Sequence, residues 1–181
     1  VAIEERTAPH PSGLTQLTVV IESDGEDRWA ELPRPVTGVF PLPTTPKDIS
    51  ERVAAAGVVG LGGAAFPSAV KLDMRQRHEL DTLVINGAEC EPYVTCDDRL
   101  MREAAEEIID GVRIMAYALA VERVIVAIER NKPRAMAAMR EAAKVDSDIR
   151  VQGVPTRFPM GSAQHLLLAV TGRETPADQR T

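Results

Sequence analysis

The chain has two cysteines, no cluster of basic residues and no long uninterrupted apolar run, and each shortage removes a class of protein. Cys90 and Cys96 stand in a C-x5-C spacing that matches no usual zinc or redox motif. Two thiols also fall short of the four that commonly hold an iron–sulfur cluster, so reduced cysteines in a cytosolic setting are the plain reading. Lys and Arg number 21 against 27 Asp and Glu, for a net charge of -6. Without a basic stripe to neutralise phosphates, nucleic acid is not an expected partner. The longest apolar stretch, residues 53–66, is broken by Gly57, Gly60, Gly62 and Gly63 and is shorter than the about 20 residues that span a bilayer. The opening VAIEERTAPHPSGL lacks the apolar core and basic start of a signal peptide, and a first residue of Val1 reads as a piece of something longer. His10, His78 and His165 are scattered, with no i, i+4 partner, so they suggest surface histidines rather than a zinc site or a hydrolytic triad.

What is present is enough apolar content, 44% of 181 residues, to bury a core for one domain with a small appendage. Residues 1–45 are rich in proline and turn residues, with one alternating segment, Leu17 to Glu22, that predicts a β-strand before a DGED turn. Pro41, Pro43 and Pro46 make a stiff linker, because proline fixes its own φ and pushes its predecessor out of the helical region. Beyond it the pattern alternates. A short helix is expected over Lys47 to Ala56 and a strand over Thr82 to Asn86. A long amphipathic helix should then carry Leu100, Ala104, Ile108, Val112, Met115 and Leu119 on its core face, with Thr95 and Asp98 as a capping box. Arg123 to Ile128 is a β-branched strand, Pro133 opens a helix to about Lys144, Ile149 to Val154 is another strand, and Gly161 to Thr171 supplies a last helix. The order β-α-β-α-β predicts an α/β fold with a parallel, Rossmann-like sheet and crossover helices over residues 46–181, preceded by a small β appendage and linker over residues 1–45.

In open parallel sheets ligands lie beyond the carboxyl ends of the strands. The segments to read are therefore Asn86 to Cys96, Glu129 to Lys132 and Pro155 to Met160, of which the first is richest in chemistry. Asn86, Glu89, Glu91 and Tyr93 crowd that strand end, where carboxylates could accept hydrogen bonds from ring N–H groups or ribose hydroxyls, or could simply face solvent. Calcium is a poor fit, because no glycine-hinged twelve-residue frame is present. Asp97 and Asp98 read as helix-dipole partners at a helix start. Upstream, Gly60-Leu61-Gly62-Gly63-Ala64-Ala65-Phe66-Pro67, with Lys71 behind it, places small residues where backbone N–H groups could approach a phosphate. It is neither a Walker loop nor a G-x-G-x-x-G fingerprint, and a glycine-rich turn for close helix packing explains it equally well.

The blocks VAIEERTAPHPSGL, GVVGLGGAAFPSAVKL, LVINGAECEPYVTCDDRLM and VTGRETP, spread over the whole chain, closely resemble the RnfC family, a component of the Rnf ion-translocating electron-transport complex. More distantly they resemble the NADH-binding flavin subunit of respiratory complex I. The resemblance implies a module that binds flavin mononucleotide (FMN) and NADH, in a subunit that moves electrons between NADH and ferredoxin. It places Gly60, Gly62, Gly63 and Ala64 around the flavin, Lys71 toward its phosphate and Phe66 on the nicotinamide side. Asn86 and Glu89 would line the flavin and Glu91 the dinucleotide. No residue is implied as catalytic and none as a metal ligand here, since the hydride chemistry belongs to the cofactor. The [4Fe-4S] clusters of the family would sit in a downstream region that this sequence does not contain. The resemblance also implies a truncated lipoyl-like appendage, other subunits as partners, and a peripheral place on the cytoplasmic face of the inner membrane. A fragment of this length is expected to be inactive alone. A related flavin-dependent cobalamin reductase, or an assembly scaffold that has lost flavin, are the competing readings. Two departures bear on the choice: Ala65 stands where the complex I pattern has glycine, and Pro159-Met160-Gly161-Ser162-Ala163-Gln164-His165 replaces the family's P-x-G-G-E-K-Q, without its acidic residue.

Overall fold

The computed structural model describes residues 1–7, 12–28, 45–60, 65–89 and 91–176. Pro41 and Pro43 of the expected linker, His10, Cys90 and the sequence-predicted site residues Gly62, Gly63 and Ala64 lie outside the described residues. The chain forms two compact units, residues 1–41 and 42–181.

The first unit contains an antiparallel pair, β1 (Ala2–Thr7) and β2 (Thr15–Val20), in the register Ile3 opposite Val19 and Glu5 opposite Leu17. Sequence periodicity predicts one strand, over Leu17 to Glu22; the ladder instead runs two residues earlier and pairs with a strand at the chain start. Ile3, Leu17 and Val19 share one face and are all exposed, so the alternation that marks a strand is present here without burial.

The second unit is the expected parallel α/β fold. Its sheet has the order β3 (Thr82–Gly87), β4 (Arg123–Glu129), β5 (Ile149–Val154), parallel throughout. From Val124 to Glu129 every residue of the central strand β4 is buried, because a central parallel strand is covered on both faces. On one face Val124, Val126 and Ile128 pack with Ile109, Val112, Met139 and Ile149; on the other Ala127 packs with Ala88, Val154, Met160 and Leu166.

Helix α1 (Pro46–Ala55) opens on a capping box: Thr45 Oγ1 accepts the Asp48 N–H at 3.2 Å while the Asp48 carboxylate accepts the Thr45 N–H at 2.9 Å, with Pro46 in the first turn. The box expected at Thr95 does not form. The long helix expected after it is two helices, α3 (Cys96–Glu103) and α4 (Ala105–Leu119), broken where Ala104 turns to φ -133°, ψ 39°. The break re-aims the apolar face: Leu100 is exposed and Ala104, Ile108 and Met115 are half-buried, whereas Met101, Ile109, Val112, Ala116 and Leu119 carry the core. Helix α5 (Pro133–Ala142) starts at the expected proline, and α6 (Ala163–Thr171) begins two residues later than expected and ends on Gly172 in the left-handed conformation that closes helices. Arg113 of α4 grips Asp146, in the turn before β5, through Nε and Nη2 at 3.0 and 2.7 Å, a two-pronged ion pair that ties helix to sheet edge and raises the guanidinium pKa further.

Candidate functional site

The three strand-end segments converge. Glu89 and residues 91–95 after β3, the end of β4 with the β4–α5 turn, and residues 156–158 after β5 line a cleft of about 320 Å³, at the lower end of ligand-pocket sizes of about 300–1,000 Å³. Its lining includes Glu89, Glu91, Tyr93, Glu129, Asn131, Lys132, Arg157 and Phe158. A smaller depression of about 210 Å³ lies at the opposite end of β3, floored by the exposed Asp81–Arg173 pair. The carboxyl ends of the strands are the chemically richer place.

Glu89 is the best-held residue in the cleft. Its side chain is 3% exposed; Oε1 accepts the Asp97 backbone N–H at 2.8 Å, and Oε2 takes the Lys132 ammonium at 2.6 Å. Asp97 is the second residue of α3, so Glu89 supplies from across the loop the cap that Thr95 does not. Lys132 caps α5, a position where the helix dipole disfavours a cation, and the Glu89 carboxylate compensates it. Burial works to lower the Lys132 pKa, but the hydrogen bond and charge of Glu89 outweigh it and the net shift is upward. Glu129, buried at the end of β4, faces the Glu89 backbone N–H and Lys132; burial nonetheless raises its pKa, with Glu89 adding to the rise. Asp97 is raised as well, first by burial and then by the charges of Glu89 and Glu91, against the pull of Lys132.

Glu91 differs from these. It is exposed, lines the cleft and forms no ion pair among the described residues. A turn closes behind it, Val94 N–H to Glu91 C=O at 3.3 Å, and puts Tyr93 at φ 68°, fully exposed. A non-glycine side chain held there costs energy and marks a place where backbone shape matters. Asn86 uses both ends of its amide internally: Nδ2 donates to the Gly161 carbonyl at 2.8 Å and Oδ1 accepts the Ala88 N–H at 3.1 Å, tying β3 to the loop before α6.

Gly60, Phe66 and Lys71 form a second group. Residues 58–60 and 66–68 pair as a short hairpin, Gly60 N–H to Phe66 C=O at 2.9 Å and Ser68 N–H to Val58 C=O at 3.0 Å, with a bridge between Val59 and Pro67, so the base of the glycine-rich loop is closed. Lys71, on the short helix α2 (Ser68–Leu72), holds its ammonium 5.9 Å from the Phe66 ring centre and makes no ion pair among the described residues. Phe66 is 44% exposed. Ala65 sits at φ 47°, so the residue that departs from the glycine pattern occupies a conformation glycine prefers. Among the described residues, the cleft lining contains none of this hairpin. The described structure thus brings Glu89 and Glu91 together, ties Asn86 to the β5–α6 loop, and keeps Gly60, Phe66 and Lys71 as a neighbourhood of their own.

Glu129, Asn131, Lys132, Arg157 and Phe158 line the cleft without being among the sequence-predicted site residues. The rule that ligands gather at strand ends marks the segments that hold them, but the density of acidic groups after β3 gives the first segment the stronger signal. Glu89, Cys96 and Asp97 also bring one possible metal-ligating atom each within 4.8 Å of one another. Both Glu89 oxygens already have donors, so the grouping is a hydrogen-bonded cap. No helix of the described residues is long and apolar enough to cross a membrane.

Residues 53–181 match the family described as the Nuo51 FMN-binding domain. The chain is 55% identical over 179 residues to the C-subunit of the ion-translocating oxidoreductase complex of Rhodobacter capsulatus, covering 98% of this chain and 34% of that one. With the corresponding protein of Pasteurella multocida it shares 47% identity over 180 residues, 99% of this chain and 21% of the relative. The chain therefore spans about a third or less of these relatives' length, and the resemblance read from the sequence is borne out. An NAD⁺-reducing [NiFe]-hydrogenase, solved in its air-oxidized state, superposes with a TM-score of 0.61 at 24% identity, over 71% of this chain and 24% of that one; it shares the fold.

Proposed function

This chain belongs to the Nuo51 FMN-binding domain family, and from that premise we propose that it is the FMN- and NADH-binding module of an electron-transport subunit. The subunit works in a membrane-associated, ion-translocating complex, peripherally on the cytoplasmic face of the inner membrane. It moves electrons between NADH and ferredoxin, with [4Fe-4S] clusters held outside residues 1–181. The observation that carries the reading is the family match over residues 53–181, which spans both the hairpin and the strand-end cleft.

The residues present fit such a cofactor in their donor chemistry. Lys71, a cation with no ion pair among the described residues at the foot of a glycine-rich loop spanning Gly60, Gly62, Gly63 and Ala64, suits a phosphate. The half-exposed Phe66 ring suits a flat aromatic partner. Glu91 offers its acceptor oxygens to the hydroxyls of a dinucleotide. Asn86 and Glu89 act on the site through protein contacts, Asn86 by fixing the β5–α6 loop and Glu89 by fixing the loop that bears Glu91. A bound flavin supplies the exchange between two-electron hydride chemistry and one-electron transfer, and the chain's part is to bind, orient and set the local charge.

The test is the visible absorption spectrum of the full-length subunit after incubation with FMN and desalting, followed by anaerobic addition of NADH. Retained flavin bands that bleach with NADH are expected. A full-length chain that retains no flavin would favour the alternative of an assembly scaffold, the reading to which Ala163 lends weight, since α6 has no acidic residue in its first turn.

A further inference from the structure

The Glu89–Lys132 pair joins elements that the chain otherwise leaves separate. Glu89 and Lys132 are 43 residues apart, yet their side chains are 3% and 13% exposed and 2.6 Å from each other. Two charges withdrawn from water this far are unfavourable unless each is fully paired, and a cation at a helix start is unfavourable again. Here the pairing is complete on the carboxylate: one oxygen holds Lys132 and the other holds the first turn of α3 through the Asp97 N–H at 2.8 Å. The turn that carries Lys132 is itself rigid, since the Lys132 N–H donates to the Glu129 carbonyl at 3.0 Å and the Lys132 carbonyl receives the Met136 N–H at 3.0 Å. Between the clamped ends of the loop lie Glu91 and the left-handed Tyr93, both exposed and neither with a side-chain hydrogen bond or ion pair among the described residues.

We propose that Lys132 is a positioning residue: through Glu89 it clamps residues 88–97 to the β4–α5 turn, and so fixes where Glu91 and Tyr93 stand at the mouth of the cleft. The proposal rests on the flavin and dinucleotide reading of this site. It assigns Glu89 to the clamp, so the carboxylate that meets a dinucleotide at this sheet edge is Glu91.

The test compares Lys132→Met, Lys132→Arg and the parent as full chains, by amide hydrogen exchange and by the Kd values for FMN and NADH. In Lys132→Met, exchange at residues 91–97 should speed up while amides of β4 and α4 keep their protection. NADH affinity should fall about tenfold, as for a site loosened by a fraction of an ångström, with FMN affinity changing less. Lys132→Arg, which keeps the charge, should recover most of both. Unchanged exchange at residues 91–97 overturns the clamp, and so does faster exchange spread evenly over the fold. If Lys132→Met does not fold, Glu89→Gln, which keeps an acceptor for the Asp97 N–H, should show the same localised loosening at smaller size, and a global effect there overturns the proposal. A parent chain that binds neither FMN nor NADH, with exchange in Lys132→Met loosened only at residues 91–97, overturns the ligand reading and leaves the clamp standing.

Discussion

Replacing Ala65 by glycine should make the protein more stable. Ala65 adopts φ 47°, where its Cβ crowds the following carbonyl, and for an L-residue this costs roughly 1–2 kcal/mol. Glycine removes that cost but enlarges the unfolded ensemble, an opposing effect of about 0.4–1 kcal/mol. The balance is a gain of about 0.5–1 kcal/mol, a rise in Tm of about 1–4 °C for a chain of this size. Ala54→Gly is the control. Ala54 lies within α1 and is exposed, so the same change there relieves no strain and should destabilise by about 0.5–1 kcal/mol. Thermal and urea unfolding of the two variants, followed by circular dichroism, should therefore move in opposite directions. If both fall by the same amount, Ala65 is not left-handed in solution and the departure from the glycine pattern has no conformational cost. Ala65→Val adds a third point, since a β-branched residue resists that conformation more strongly, and its Tm should fall below that of the parent.

Ala120 closes α4 at φ 48°, so Ala120→Gly should raise Tm by a similar amount in the same melt. Arg113→Ala should cost about 2 kcal/mol by urea titration, because it leaves the mostly buried Asp146 carboxylate without its two-pronged partner. Lys71→Ala should weaken FMN binding by about 1.5 kcal/mol, the low end for a charge-assisted contact because Lys71 is exposed, and equal affinity in a fluorescence titration would return it to the surface. The pH dependence has an unusual sign. Burial lifts the Glu129 pKa above its ordinary value of 4.5, so the folded state binds protons more readily than the unfolded one. Stability therefore declines as pH rises from 4.5 through the raised value and stays lower above it. Glu129→Gln should flatten that slope in a series of Tm values, and an unchanged slope would remove Glu129 as its source.

The parallel sheet is legible in the sequence because its signals are local and reinforce one another: β-branched runs at Arg123 to Ile128 and Ile149 to Val154, and Pro133 between them at a helix start. The break at Ala104 is not. Residues 100–119 keep an unbroken apolar period, and the local turn that splits them leaves no mark in residue type, since alanine favours helix on either side. The capping boxes diverge for a related reason. Thr45/Asp48 and Thr95/Asp98 share one spacing, and only at Thr95 does a distant carboxylate, Glu89, already occupy a donor at the helix start. In the candidate site, the strand-end rule finds the right segments but does not say which polar groups face a ligand, because that depends on partners up to 75 residues away, as with Asn86 and Gly161.

Those partners separate the carboxylates at this sheet edge by use. Glu89 has a donor on each oxygen, Glu129 is buried against Lys132 and the Glu89 backbone, and Asp98 pairs with Arg102 at 3.1 Å. Partial burial, and after it the charge of Glu89, resist the ionisation of Asp97. Each satisfied or suppressed charge is a poor ligand, since any new partner must first displace an existing one in a place that water reaches poorly. Glu91 alone among them combines exposure, a place in the cleft lining and freedom from an ion pair among the described residues. Glu91→Gln should accordingly weaken NADH binding with FMN retained and the exchange of residues 91–97 unchanged, whereas Glu89→Gln should weaken NADH binding only together with faster exchange of residues 91–97, with FMN changing less. If the two variants gave the same pattern, the distinction between the carboxylate that holds the loop and the one that meets the ligand would fail.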